Sequence, residues 1–363
     1  MLTPPFLCEH GLDALCQTYA IKATRHREFP WLVMLKYHQI QSPMGEPLVQ
    51  ECRGLIVDER DDWRIVSHPF HKFFNAGEFH AAPIDWTTAR VFEKLDGSLM
   101  SLYFYEGAWR VASSGTPDAS GRLPAREATF AHAFWETWDA LGLALPGESF
   151  AGWWFGFELL TPWNQIIVRH AEPRLVCIGA RRPDGREEWP DALPFGWPTV
   201  ASFPLGSLDE VLEATKELSP VRAEGFVACD ARFHRVKIKS PAYVALHHLR
   251  DSFSLRRLID IVRSGEDDEF LAYFPDFKPQ FDDVRARFNA LLATVERDYA
   301  DLASIETPRD YAAAATTKAV PAALFALRYG KVKSAREFFD NATHPALLGW
   351  LGLKETEAPS ASE

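Results

Sequence analysis

Glu93-Lys94-Leu95-Asp96-Gly97-Ser98 follows the apolar pair Val91-Phe92 and leads into Leu99-Met100-Ser101-Leu102-Tyr103-Phe104. Apolar runs on either side of an Asp-Gly pair predict a turn between two strands. Lys94 then sits at the mouth of a sheet, and Gly97, which has no Cβ, lets a ligand approach the backbone closely. A lysine is a weak nucleophile until desolvation or nearby cations favour its neutral form. The expectation is that Lys94 is such a nucleophile and attacks a phosphoryl group. Four residues alone carry little meaning, so the reading depends on their surroundings.

Downstream, Trp153-Trp154-Phe155-Gly156-Phe157-Glu158-Leu159-Leu160 reads as a buried strand interrupted by one carboxylate. Glu224-Gly225-Phe226-Val227-Ala228-Cys229 and Arg235-Val236-Lys237-Ile238-Lys239 read as the last two strands of the mixed region. Side chains alternate across a strand, so Lys237 and Lys239 share a face and Val236 and Ile238 take the other. Two ammonium groups on one face make a phosphate-binding surface, and near Lys94 they favour its unprotonated form. Glu158 and Glu224, set in apolar strands, each need a cation, a hydroxyl donor or a metal-bound water as partner.

Upstream, a short helix is expected over Gly11 to Ala20, and Trp31 to Tyr37 reads as a buried strand. Arg53 to Asp58 and Trp63 to Ser67 flank a polar turn and predict a hairpin. Pro124 to Leu141 reads as a helix with Pro124 in its first turn, Phe130, Phe134, Trp138 and Leu141 along one face, and Gly142 at its end. A hairpin is expected around Pro183-Asp184-Gly185-Arg186, and Ser207 to Glu210 is a capping box that opens a helix to Leu218. From about Pro241 the texture turns helical, with the longest runs at Asp282 to Leu302 and Arg309 to Ala326. The expected division is a mixed domain over 1–250, an all-helical domain over 251–352 and a disordered polar tail over 353–363.

Composition narrows the function classes. The chain has 363 residues, 47% hydrophobic and 25% charged, with a formal net charge of −11. That charge excludes a general nucleic-acid binder, although not a local basic groove. Five scattered cysteines with no Cys-x-x-Cys pair indicate neither a disulfide framework nor a zinc site. The pairs His68/His71 and His247-His248 lack further ligands at metal spacing and read as surface or packing residues. The acidic run Glu266-Asp267-Asp268-Glu269 reads first as a solvated helix end; the basic group Arg328, Lys331, Lys333 and Arg336 reads first as a solvated face, with RNA contact as its alternative. With no secretory signal and no apolar stretch near membrane-spanning length, a cytoplasmic protein is expected.

Lys94-Leu95-Asp96-Gly97-Ser98, Phe157-Glu158-Leu159, Glu224-Gly225-Phe226-Val227 and Lys237-Ile238-Lys239 together resemble motifs of the covalent nucleotidyltransferases, the superfamily of RNA ligases, DNA ligases and mRNA capping enzymes. Glu51-Cys52-Arg53-Gly54-Leu55 and Pro69-x-x-Lys72-Phe73-Phe74-Asn75 are similar to the phage-type ATP-dependent RNA ligases of tRNA repair. The resemblance implies an α+β nucleotidyltransferase domain of antiparallel sheets with flanking helices, followed by a smaller all-helical substrate-specificity domain. It implies ATP and Mg²⁺, with Lys94 forming a lysyl-AMP phosphoramidate. AMP then passes to an RNA 5′-phosphate, and an RNA 3′-hydroxyl displaces it to seal the strand. By the same resemblance Glu158 binds the ribose hydroxyls, Glu224 orders metal-bound water, and Lys237 and Lys239 hold the α-phosphate. Tyr37, Arg53, Lys72, Glu93, Asp96 and Gly97 fall at nucleotide-contacting positions. Tyr243 matches a tyrosine needed for ligation, and Asp267 and Asp268 fall at a second metal position. The family's Ser-Lys-Gly-Ser stands here as Ser113-Ser114-Gly115-Thr116, without its phosphate-binding lysine. The implied partners are RNA ends, with tRNA as one candidate, and an end-healing kinase or phosphatase. A DNA ligase, a capping-type transferase and a catalytically silent nucleotide- or RNA-binding relative are the alternatives. The helical texture after Lys239 counts against the first two, which place an oligonucleotide-binding barrel there.

Overall fold

The strands on either side of Leu95-Asp96-Gly97 do not pair with one another; the turn carries the chain from one sheet to another. A computed structural model describes residues 1–249, 255–273 and 275–353. Chain order begins α1 (Thr3–Tyr19), β1 (Ile21–Arg25), β2 (Leu32–Tyr37), α2 (Pro47–Glu51), β3 (Arg53–Asp58) and β4 (Arg64–Ser67). It continues β5 (Phe74–Asn75), β6 (Arg90–Lys94), β7 (Ser98–Tyr105), β8 (Ala108–Ser113), α3 (Phe130–Ala140), β9 (Trp154–Leu160) and β10 (Arg174–Arg181). Then come β11 (Glu187–Glu188), β12 (Ser202–Phe203), α4 (Leu208–Lys216), β13 (Gly225–Cys229), β14 (Arg235–Lys239) and α5 (Pro241–Leu249).

These elements form three sheets, ordered β1-β2-β3-β4, β11-β10-β9-β7-β8 and β12-β6-β13-β14-β5. All pairs are antiparallel except β14 with β5. The mixed α+β class with antiparallel sheets and flanking helices is the one expected. Each sheet buries one face under a helix, as alternation dictates. Met100, Leu102, Phe155, Phe157 and Leu159 pack with Phe134 and Trp138 of α3. Val91, Phe226, Ala228, Val236 and Ile238 pack with Val211 of α4, and α1 lays Leu7 and Leu15 on the first sheet.

Local departures have local causes. The first helix begins at Thr3, and Gly11 interrupts it with a φ of +79° that a side chain rarely adopts. The expected helix from Pro124 starts only at Phe130, because Thr129 is extended and its hydroxyl caps the His132 N–H. Ser207 caps α4 as the capping box predicts, its hydroxyl accepting from Glu210 N–H at 3.2 Å.

The chain divides into two compact units, Met1–His247 and His248–Glu363. The second holds α6 (Leu255–Ser264), α7 (Asp267–Tyr273), α8 (Lys278–Asp301), α9 (Pro308–Ala315), α10 (Pro321–Arg328), α11 (Ala335–Asp340) and α12 (His344–Leu351). Its core is its own, with Ile259, Phe281, Phe288, Tyr311 and Phe339 buried together. The single long helix expected over Arg309 to Ala326 is two helices. α9 ends at Ala315, and Pro321, which has no N–H to donate, opens α10 at a first-turn position. The side chains of His247 and His248 and residues 354–363 of the expected tail lie outside the described residues, whereas Leu353, the first residue of that tail, packs against the helical core. Among the described residues no helix is long and apolar enough to cross a membrane.

Candidate active site

Register across β6, β13 and β14 sets Lys94 opposite Gly225 and Gly225 opposite Lys239. Partners in register project to the same face, so two lysines flank a position that has no side chain. Two residues along, Phe92, Val227 and Lys237 line up in the same way, followed by Cys229 and Arg235. One face of this sheet thus presents Lys94, Lys239, Lys237 and Arg235 around an apolar floor of Phe92 and Val227, while the other is core. Gly225 is required here. Its φ is +152°, and a Cβ would meet the Lys239 Cα at 2.7 Å and the Ile238 carbonyl more closely still.

Opposite this face, β7, β9 and β10 contribute Leu99, Glu158 and Ile178, and Tyr37, Arg53, Phe73, Trp189 and Val200 close the sides. The cleft so formed has a volume of about 380 Å³, within the range of small-ligand sites. Its walls combine cations, apolar side chains and the carboxyls of Glu93, Glu158 and Glu188.

Glu224 joins the lysines. One carboxylate oxygen lies 2.6 Å from Lys94 Nζ and the other 3.4 Å from Lys239 Nζ. The charge nearest Lys94 is therefore a buried carboxylate rather than the ammonium groups the strand pattern suggested. Glu158 lies across from this pair. Burial pushes its carboxyl up to about 8, Glu224 and Asp96 adding to the shift and Lys94 and Arg53 opposing it. At neutral pH it is a neutral acid, able both to donate and to accept a hydrogen bond.

Asp96 does not face the cleft. It is buried, one oxygen accepting from the Ile167 and Val168 N–H groups at 2.9 and 2.7 Å, the other from the Tyr243 hydroxyl at 2.8 Å. Its carbonyl lies 2.9 Å from His170 Nε2, and the Ser98 hydroxyl accepts from Asn164 at 2.6 Å. Asp96 and Tyr243 thereby clamp the turn after Lys94 to the 164–170 segment and to α5. Gly97 lines the cleft, and it also permits a close approach within the protein. A Cβ there would meet the Leu159 carbonyl at 2.7 Å and Leu160 Cδ2 at 2.6 Å.

The remaining expected residues distribute as follows. Tyr37 and Arg53 line the cleft, Arg53 donating to the Phe70 carbonyl at 3.4 Å. Glu93 lines it as well, although alternation turns its side chain to the opposite face of β6. Lys72 reaches over the Tyr37 ring, 5.4 Å from its centroid, from a neighbouring pocket. Ser114 lines the cleft at the position of the missing family lysine. In the second unit Asp267 and Asp268 both meet the Arg285 guanidinium, so the expected metal pair forms an ion-pair cluster. Arg336 and Arg328 are likewise engaged, Arg336 with Asp340 and the Arg263 carbonyl, Arg328 with the Ile305 carbonyl. Sequence reasoning passed over Trp189, Arg235 and the 164–170 segment, which no periodicity marks. It also took His68 and His71 as unremarkable. Their Nε2 atoms lie 3.0 Å apart against Arg181, and burial beside that guanidinium holds His71 down to about 4.

Residues 51–243 match the RNA ligase family. The chain is 25% identical over 347 residues to an RNA ligase of Rhodothermus phage RM378, covering 76% of this chain and 78% of that one. It is 28% identical over 293 residues to a putative bifunctional polynucleotide kinase/RNA ligase of Autographa californica nuclear polyhedrosis virus, covering 75% of this chain and 41% of that one. Among solved structures, an archaeal ATP-dependent RNA ligase aligns with a TM-score of 0.46 at 14% identity, over 79% of this chain and 78% of that one. The motif-bearing strands around the cleft all fall within the matched span, and the chain belongs to the RNA ligase family.

Proposed function

We infer that the cleft binds ATP and that Lys94 takes up its adenylyl group on the way to sealing RNA 5′-phosphate and 3′-hydroxyl ends. The observation that carries this is the row across β6, β13 and β14. It sets one lysine beside a carboxylate, at the end of a face carrying two further lysines. The cleft suits a nucleotide, with cations for phosphates, apolar walls at Phe92, Val227 and Ile178 for a base, and a neutral Glu158 carboxyl for ribose hydroxyls.

In the first step the Lys94 Nζ lone pair attacks the α-phosphorus, a P–N bond forms, and the bond to pyrophosphate breaks. The Nζ proton must leave, and Glu224 at 2.6 Å is placed to receive it. Lys237, Lys239 and Arg53 offset the charge of the transferring phosphate, which is most of what phosphoryl transfer asks of a protein. An RNA 5′-phosphate oxygen then attacks the same phosphorus and releases Lys94. Last, the 3′-hydroxyl attacks the 5′-phosphorus and displaces AMP.

Mg²⁺ bound to the phosphates adds charge neutralisation. Among the described residues no cluster of three His, Cys, Asp or Glu side chains could hold a metal. A divalent ion carried in with the phosphates would find Glu224 as the carboxylate nearest Lys94, able to accept from one of its waters, and would supply charge neutralisation there. Asp96, Gly97 and Tyr243 act as positioning residues that fix the Lys94 turn. The helical unit is read as the substrate-selecting part, with tRNA among its candidates, and the reaction as cytoplasmic RNA repair. The kinase named in the baculovirus relative supports an end-healing partner.

Incubation with α-labelled ATP and Mg²⁺, followed by denaturing electrophoresis, tests the reading. The label is expected on the wild-type chain and absent from Lys94→Ala; no label at any pH from neutral to mildly alkaline sinks it. GTP in place of ATP separates it from capping chemistry, and sealing of RNA against nicked DNA from a DNA ligase.

A further inference from the structure

Beside the cleft lies a second pocket of about 350 Å³, and Phe73 and Arg235 line both. Its walls carry Lys72, Arg181, Arg232 and Arg235, with Glu187 as the one acid among its described lining residues. Glu187 is already engaged, ion-paired to Arg181 and to Arg235, both at 2.5 Å. Neither Lys72 nor Arg232 forms an ion pair among the described residues. Arg181 is buried, and its Nε has no hydrogen-bond partner among them. The pocket therefore carries an uncompensated positive charge in an otherwise acidic chain.

Two further features give that charge a direction. Arg235, Lys237 and Lys239 alternate along β14, each pair about 6.6 Å apart, so the cations run from the cleft to the pocket without a break. Next to His80, which lines the pocket, Phe79 is 96% exposed, its ring 5.0 Å from the His80 ring. A phenylalanine so open to water gains nothing from folding. Backbone-tracking cations beside an exposed aromatic ring are the features that hold single-stranded nucleic acid.

We propose that this pocket seats a single-stranded end of the RNA substrate, a backbone phosphate lying against Lys72, Arg232 and Arg235 and a base stacking on Phe79. The proposal rests on the RNA-sealing reading above and adds the place where RNA enters. The phosphates that leave ATP share the same chemistry, and the test separates the two sources.

Phe79→Ala and Arg232→Ala both alter exposed side chains, so neither opens the core. Affinity for a fluorescent 5′-phosphorylated single-stranded oligoribonucleotide is measured by anisotropy across a salt series. Lysyl-AMP formation from α-labelled ATP is measured without RNA. Phe79→Ala is expected to weaken RNA binding about tenfold at every salt concentration. Arg232→Ala is expected to weaken it too and to flatten the log-affinity against log-salt slope by about 0.7. Lysyl-AMP formation stays within about twofold of wild type in both. RNA affinity within twofold of wild type in both variants overturns the proposal. So does slower lysyl-AMP formation with unchanged RNA affinity, which assigns the pocket to the phosphates of ATP. A wild-type chain that forms no lysyl-AMP yet binds RNA through these two residues refutes the adenylation step and leaves the pocket standing.

Discussion

At Glu158 the cleft holds a carboxyl whose ordinary state is inverted, since burial lifts it to about 8. The unfolded chain releases this proton near the usual 4.3. Below that value both states are protonated and the group is neutral in its effect. As pH rises from about 4.3 to 8 the unfolded state ionises and the folded state does not, so folding loses stability across that window. Glu158→Gln is therefore expected to melt at the same temperature as wild type near pH 4.5 and higher than it at pH 8.5. Allowing for screening by water in the cleft, the gap is on the order of 2 kcal/mol. Equal melting temperatures at both pH values, read by scanning calorimetry, count against the burial of a neutral acid. The same substitution keeps a donor and an acceptor for ribose. Its lysyl-AMP formation should fall less than that of Glu158→Ala, about tenfold between the two.

Among the elements, the β6-β13-β14 ladder is what converts separate residues into a site. Lys94 and Lys239 belong to strands 145 positions apart in the chain, and only the register through Gly225 sets them on one face with Glu224 between their ammonium groups. Gly225→Ala asks a Cβ to occupy the space of the β14 backbone at a φ that favours glycine. The expected cost is about 3 kcal/mol, a melting temperature lower by roughly 6–10 °C, and lysyl-AMP formation reduced at least tenfold. An unchanged melt and unchanged labelling would show that the ladder tolerates the methyl group and that the register is looser than described. The clamp on the turn is a second element-scale device. Asp96 satisfies two backbone N–H groups and the Tyr243 hydroxyl, none of them near it in sequence.

For the whole molecule, the two compact units each carry a hydrophobic core of their own. Every residue given a role in adenylation lies in Met1–His247. A chain ending after His247 is expected to form lysyl-AMP within about tenfold of the full chain, by the same labelling assay. If the helical unit selects substrate, this shortened chain should lose the difference between a nicked tRNA anticodon loop and linear RNA. Equal effects on both substrates remove the selection role. The net charge of −11 coexists with a basic surface on one face of one sheet and in the pocket beside it. Charge totalled over a chain therefore says little about a site built from five or six side chains.

By itself the sequence determined the elements and the chemistry they bear. Apolar runs marked β9 and β13, alternation set Lys237 and Lys239 on one face of β14, the Asp-Gly turn placed Lys94 at a strand end, and the loss of strand texture after Lys239 marked the helical part. These are local properties, because a strand's period and a turn's backbone preferences act within a few residues. Where it misjudged an element's bounds, the cause was competition at close range, such as Thr129 capping a helix in place of Pro124. What the tertiary structure alone decided is partnership: Glu224 rather than an ammonium against Lys94, Arg285 against Asp267, the Ile167 and Val168 amides against Asp96, and Lys72, Arg181, Arg232 and Arg235 around one pocket. Such pairs depend on register and on sheet-to-sheet approach across scores of residues, and on burial, which sets how strongly each charge requires its partner.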